Sequence, residues 1–203
     1  MLLALAGTGR KACAHSNGGP VRTTIALLLG GWLLGTLLLG GVASENFFMI
    51  DTLLHSPSAH PTFQKDVVQL SPDEARPMLR YLVSELNRFY FNVWGWFELV
   101  LGVLVLALAL RTLKRSKFTI GFSAMLAVVA VMDFYITPKI TQVGRSLDFV
   151  PRQAPPPGMV EFGMLHATYS LLDLGKLLIG IWMAVALGRL PSLETRKKEV
   201  LVA

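Results

Sequence analysis

Four long apolar stretches are the feature that most constrains the fold of this chain. They cover residues 24–50, 89–110, 118–137 and 163–187. As a helix, each is long enough to cross a hydrocarbon core about 30 Å thick, which takes about 20 residues. Backbone polar groups inside a bilayer must be hydrogen-bonded within their own segment, so helices are the expected form. The sequence therefore predicts an all-α fold, a four-transmembrane-helix bundle.

One bundle accounts for most of the length of 203 residues and for a hydrophobic content of 53%. We expect a mobile cytoplasmic tail over residues 1–22, a four-helix membrane domain over 23–190 and a basic cytoplasmic tail over 191–203. The first apolar run could instead be a signal peptide cleaved near Ser44. That run is about 20 residues, longer than the usual signal-peptide core of about 7–15. A retained first helix is therefore the preferred interpretation, and cleavage stays the alternative.

Basic residues are concentrated in the N-terminal tail, in the linker between the second and third stretches and in the C-terminal tail. Four crossings would place these three regions on the same side of the membrane. Arg22 precedes the first stretch, Arg111 and Lys117 bound the linker between the second and third, and Arg189 follows the fourth. The other two loops balance their bases with acids. The positive-inside rule then predicts a bacterial inner (cytoplasmic) membrane protein with both termini cytoplasmic. The net charge of +6 is explained by topology, so no nucleic-acid partner is expected.

The first external loop contains a further helix signal. Ser71 and Glu74 have the spacing of a capping box, with a proline at the first helical position. Apolar residues then recur at helical spacing between polar ones over residues 71–88. This predicts an extra amphipathic helix at the outer surface that runs into the second crossing. Pro138 is predicted to end or kink the third crossing.

The first helix carries a G-x-x-x-G pattern at Gly31 and Gly35. Small residues at this spacing let another helix approach closely. We expect helix packing inside the bundle at both glycines, with a dimer face as the alternative.

The second, third and fourth apolar stretches contain acids, a histidine and a lysine: Glu98, Asp133, His166, Asp173 and Lys176. A charge at the centre of a membrane helix costs about 2.5–3.5 kcal/mol on insertion scales, so these residues form the candidate binding cluster. Counting from the ends of the stretches places Glu98 and Lys176 near the middle of the membrane and Asp133 and His166 nearer the outer side.

Helical spacing predicts how these residues pair. His166, Asp173 and Lys176 share one face, and Asp173 and Lys176 can form an i,i+3 ion pair. Glu98 and Asp133 are left as the candidate functional pair, in need of a proton, a cation or a donor from another helix. Two interpretations stay open: a hydrated path or cavity for a small polar species, or buried pairs that only fix the helix register.

Other site chemistry has little support. Cys13 is the only cysteine, which excludes an internal disulfide and a cysteine-rich metal site. There is no nucleophile elbow, metal-binding H-E-x-x-H or P-loop. A bis-histidine haem site would need His55 or His60 from a proline-rich loop to join His166. We therefore expect no enzyme activity, no metal and no cofactor.

Three stretches resemble the transmembrane protein 205-like family, a four-helix membrane domain of unknown function. They are Ser-Glu-Leu-Asn-Arg-Phe-Tyr-Phe at residues 84–91, Ile-Thr-Pro-Lys-Ile at 136–140 followed by Gly144-Arg145, and Phe-Gly-Met-Leu-His at 162–166. The resemblance implies the four-helix fold and a membrane location. It implies no reaction and no catalytic residues.

The sequence thus predicts a multi-pass membrane protein that binds or moves a small polar solute, a proton or a cation through charged residues in the bundle interior. The alternative is a non-catalytic structural or assembly subunit that packs against other membrane proteins. The expected partner is the lipid bilayer, and a homo-oligomer or another membrane protein is a further candidate.

Overall fold

A computed structural model of the protein describes residues 18–55, 60–113, 116–150 and 155–190. This part of the chain is all-α, as the sequence predicts. Its elements in chain order are α1 (Gly18–His55), α2 (Pro61–Gln69), α3 (Pro72–Thr112), α4 (Ser116–Val131), a π-helical segment (Met132–Ile136), α5 (Thr137–Ser146) and α6 (Met159–Gly188).

Within the described residues, four segments are long and apolar enough to cross a membrane: Gly19–His55, Glu74–Thr112, Lys117–Ser146 and Met159–Gly188. The predicted four-helix bundle is therefore confirmed, and these segments are those of a multi-pass membrane protein. Most residues of the two predicted tails lie outside the described residues.

The predicted amphipathic helix and the second crossing form one continuous helix, α3. The capping box forms at its start: the Glu74 carboxylate accepts hydrogen bonds from the backbone N–H of Ser71 at 3.0 Å and from its hydroxyl at 2.9 Å. Pro77 lies inside α3 without ending it. The short helix α2, which begins at Pro61 after the N-cap residue His60, was not predicted.

The third crossing does not end at Pro138. It continues from α4 through the π-helical segment into α5, which reaches Ser146. Proline has no N–H to donate, and its ring crowds the carbonyl four residues earlier, here that of Phe134. The wider π turn just before Pro138 accommodates this defect. Of the two predicted outcomes, an end of the crossing at Pro138 is therefore wrong; the regular α-helix is interrupted before Pro138 by the π turn, and Lys139 and Arg145 lie on α5 rather than in a loop.

The buried apolar core lies toward the ends of α1 and α6 that meet at Arg22. The Arg22 guanidinium donates to the carbonyl oxygens of Leu187 at 3.0 Å and Leu190 at 2.9 Å. Beyond it, Trp32 and Phe122 are fully buried within one apolar cluster drawn from all four crossings. We call this half of the bundle the Arg22 end and the other half the Arg88 end.

The two glycines of the G-x-x-x-G pattern have different surroundings. A Cβ at Gly35 would overlap the indole ring of Trp94 on α3, so this glycine permits close packing of α1 on α3. A Cβ added at Gly31 would meet no atom within 4 Å, and this glycine is exposed. The predicted packing inside the bundle is therefore wrong for Gly31, because the rotation of α1 turns this residue outward.

Candidate functional site

A chain of three charged side chains crosses the middle of the bundle. The Lys176 ammonium on α6 donates to the Glu98 carboxylate on α3, and it also pairs with Asp173 one turn earlier at 2.8 Å. The Lys176 and Glu98 side chains are only 1% and 2% exposed, whereas Asp173 is 25% exposed. This row of ion-paired side chains, the ion-pair chain, is therefore buried at Glu98 and accessible at Asp173.

Glu98 is held by donors from a third helix. The same oxygen that faces Lys176 accepts hydrogen bonds from the indole N–H of Trp32 at 2.7 Å and from the Thr36 hydroxyl at 3.0 Å, both on α1. Hydrogen bonds to an ionised acceptor are roughly twice as strong as neutral ones. One carboxylate thus ties α1, α3 and α6 together at mid-bundle.

This arrangement corrects the predicted pairing. The Asp173–Lys176 pair forms as expected, but Lys176 is not used up by Asp173, since it also binds Glu98. Glu98 meets its predicted need with the ammonium group of α6 and the donors of α1, whereas Oδ2 of Asp133 has no hydrogen-bond partner, so the two carboxyl groups are not an equivalent pair. Glu98 is dry and satisfied, which is the arrangement expected of a group that fixes helix register.

Asp133 occupies a different environment. It lies in the π-helical segment, and its carboxyl group packs so closely against Gly95 of α3 that a Cβ there would overlap it. One of its oxygens, Oδ2, is buried without a hydrogen-bond partner. Asp133 also lines a polar groove of about 540 Å³ together with Asn92, Gln142 and Arg145.

A second cavity, of about 430 Å³, occupies the Arg88 end of the bundle. Its walls are mainly apolar, with Phe91 and Trp94 on α3 and Leu174 on α6. Its polar groups toward mid-membrane are Thr36, Tyr169, Ser170 and Asp173. Cavities of this kind, apolar with a few converging polar groups, are typical of small-molecule sites, which measure about 300–1,000 Å³.

The exposure of the lining residues shows where the cavity opens. The exposed ones all lie on two helices: Gly40, Ser44 and Phe47 on α1, and His166, Ser170 and Leu174 on α6. The lining residues on α3 and α5 are buried or half-buried and form the back wall. The mouth therefore lies between α1 and α6, on the side of the bundle.

The structure separates the five predicted site residues. Asp173 and His166 line the cavity, with His166 at the mouth, where its ring lies 5.0 Å from that of Phe162. Glu98 and Lys176 lie behind the cavity: Lys176 contacts its lining residue Asp173, and Glu98 contacts its lining residue Thr36. Asp133 lines the separate polar groove.

Sequence reasoning missed an ion-pair cluster at the rim of the cavity. Arg88 on α3 binds Glu85 at 2.5 Å and Asp148, beyond α5, at 3.0 Å. Arg145 on α5 lies 3.3 Å from Glu85. The spacing of Glu85 and Arg88 predicts their pairing, but the bond to Asp148 depends on how α5 docks.

A partly buried pair of side-chain amides, Asn46 and Asn87, was also not predicted from the sequence. Asn87 on α3 donates to the Ala43 carbonyl at 2.9 Å and accepts from the Asn46 side chain at 2.9 Å, which ties α1 to α3. A polar residue inside an apolar helix is the only sequence signal for such a contact.

The stretches that resemble the transmembrane protein 205-like family converge on this cavity. Asn87, Thr137 and Phe162, one from each stretch, all line it, and a Cβ at Gly144 would lie 3.2 Å from both Arg88 and Phe162. Comparison with protein-family models, curated proteins and solved structures found no match to this chain. Membership of that family therefore stays a prediction.

Proposed function

We propose that this multi-pass membrane protein binds a small polar or cationic solute in the cavity between α1 and α6. The observation that carries the proposal is the position of Asp173. Its carboxylate is shared between the buried ion-pair chain and the cavity, and it keeps an exposure of 25%. We propose binding or carriage rather than catalysis.

The charge balance at mid-bundle supports a cationic partner. In the described bundle, the carboxylates of Glu98 and Asp173 share the ammonium group of Lys176, and Oδ2 of a third carboxyl group, Asp133, is buried without a hydrogen-bond partner. Carboxylates in a region of low dielectric are strongly stabilised by a nearby positive charge. A proton or a cationic ligand that reaches Asp173 would supply the positive charge that these carboxyl groups lack.

A thiol-labelling experiment tests the charge preference of the cavity. In a Cys13→Ser background in detergent, Ser170→Cys places a thiol in the cavity lining. A cationic methanethiosulfonate should react with it about tenfold faster than an anionic one of similar size, which corresponds to about 1.4 kcal/mol of attraction to nearby carboxylates. Adding Asp173→Asn should reduce the preference.

Thr168→Cys is the matched control. Thr168 is also exposed on α6, two residues away, but it does not line the cavity. Its thiol should show no strong preference between the two reagents. Equal preference at positions 168 and 170, or a preference that survives Asp173→Asn, would contradict the proposal.

A structural or assembly role is the second candidate. Two observations favour it: Glu98 is fully paired, and α1 presents Gly30 and Gly31 to the outside with open space around each. On this view the ion-pair chain fixes the bundle and another membrane protein covers α1. The labelling experiment separates the two candidates, because an assembly subunit needs no charge selectivity in its cavity.

We propose further that the Arg22 end faces the cytoplasm of a bacterium, because the described bases that flank the crossings at that end are Arg22, Arg111, Lys117 and Arg189. The cavity then lies in the outer half of the membrane. In intact cells, an impermeant thiol reagent should label a cysteine introduced at Thr62 on α2 and should spare one at Ser116. The reverse pattern would mean that the bundle has the opposite orientation.

A further inference from the structure

The route into the cavity limits what can occupy it. At the Arg88 end, a hydrogen bond from Asn46 to Asn87 joins α1 to α3, and the ion pair between Arg88 and Asp148 joins α3 to the segment after α5. The exposed lining residues are confined to α1 and α6, as described above. A molecule therefore enters sideways, through a face that the bilayer covers.

The lining of the cavity defines the body of the molecule. Near the mouth, Phe47 and Leu174 are 38% and 52% exposed, and Phe91 stands behind them on α3. Bulky apolar side chains at a lateral opening favour an apolar body that partitions into lipid first. A purely hydrophilic solute would have to cross this apolar face before reaching a polar group.

The inner end of the cavity defines the polar group. Asp173 lies there, one helical turn beyond Ser170 of the mouth, and the ion pair behind it adds a second carboxylate, Glu98. Among the described residues that line the cavity, the one strong base is Arg88 on the back wall, and it already binds Glu85 and Asp148. An anionic headgroup would therefore meet surplus negative charge, whereas an ammonium group would find an acceptor.

We propose that the cavity takes up an amphipathic amine from the bilayer through the opening between α1 and α6. Its ammonium group binds Asp173, and its apolar body packs against Phe91 and Trp94 of α3. This proposal rests on the proposed function, because it specifies the chemical class of the cationic solute. It adds two requirements: the ligand has an apolar body, and it passes the mouth at Gly40.

Two adjacent glycines provide the test. Gly40 lines the mouth, whereas its neighbour Gly41 is exposed and does not line the cavity. A Cβ at either position meets no atom within 4 Å. Gly40→Phe should therefore fold and obstruct the mouth, and Gly41→Phe should fold and leave it open.

The experiment measures thermal unfolding of each variant in nanodiscs of neutral phosphatidylcholine. The probes are dodecylamine, dodecanol as the uncharged molecule of equal length, and ethylamine as the hydrophilic amine. Dodecylamine at ten times its dissociation constant should raise Tm by about 3–6 °C in the parent protein and in Gly41→Phe. The shift should be lost in Gly40→Phe and in Asp173→Asn, and neither control probe should produce it.

Each contrary result overturns a definite part of the proposal. An equal shift with dodecanol would show that the ammonium group is not recognised, and an equal shift in Gly40→Phe would show that the mouth lies elsewhere. A shift with ethylamine alone would overturn the amphipathic ligand while the cationic site stands. No shift with either amine would overturn the amine proposal, and the charge preference at Ser170→Cys would then decide the proposed function separately.

Discussion

Replacing Lys176 by methionine is expected to destabilise the bundle by roughly 3–5 kcal/mol, the usual cost of removing one partner of a buried ion pair. Lys176 is 1% exposed and binds two carboxylates. Its loss leaves Glu98, which is 2% exposed, with hydrogen-bond donors but no counter-charge. The yield of monodisperse protein in detergent and the midpoint of denaturant unfolding should both fall.

Two double variants show which carboxylate depends more on the ammonium group. Glu98→Gln should recover more stability in the Lys176→Met background than Asp173→Asn does. The reason is exposure, because Asp173 at 25% can be solvated from the cavity and Glu98 cannot. The opposite order of rescue would place the unpaired charge at Asp173.

Lys65→Met on α2 is the control for the loss of a lysine. Lys65 is exposed on a short helix outside the crossings, so its replacement should change the free energy of unfolding by no more than about 0.5 kcal/mol. If Lys176→Met is equally mild, the chain of ion pairs does not stabilise the fold.

The architecture can be predicted from sequence because it depends on local pattern. Apolar blocks of membrane-spanning length must become helices in a bilayer, whatever surrounds them. The Ser71–Glu74 capping box is also local, since both partners lie within one turn. The continuity of α3 follows from the helical spacing that starts at this cap.

The pairing of Glu98 could not be predicted in the same way. The i,i+3 rule identifies Asp173 as a partner of Lys176, but Glu98 lies 78 residues away along the chain. Its approach depends on how α3 and α6 are rotated about their axes. Trp32 and Thr36, its other donors, carry no charge and look like ordinary residues of an apolar helix.

The cavity is likewise a product of packing rather than of composition. Its mouth exists because α1 and α6, joined through Arg22 at one end, leave their lining residues exposed at the other. The helical spacing of His166 and Asp173 predicts a common face. Nothing in that spacing indicates that Gly40 and Ser44 of α1 lie at the same opening.

The second variant with a large expected loss of stability is at Gly35, one of the two glycines of the G-x-x-x-G pattern in α1. Gly35→Leu is expected to lower the stability of the bundle in detergent by about 1–3 kcal/mol, the usual cost of overpacking. The added side chain would have to occupy the position of the Trp94 ring, which stacks on Phe97 with centroids 5.3 Å apart. Relief would require α1 and α3 to separate, and the hydrogen bond from Thr36 to Glu98 would lengthen with them.

Gly31→Leu, one helical turn earlier, is the matched control. Its side chain extends into open space, so it should leave stability unchanged or raise it by up to about 0.8 kcal/mol, because leucine favours a helix more than glycine does. Thermal unfolding in detergent compares the two variants directly. Equal destabilisation would mean that Gly31 also packs against a helix, and since the bundle offers none there, the result would indicate a second copy of the chain or another membrane protein on that face of α1.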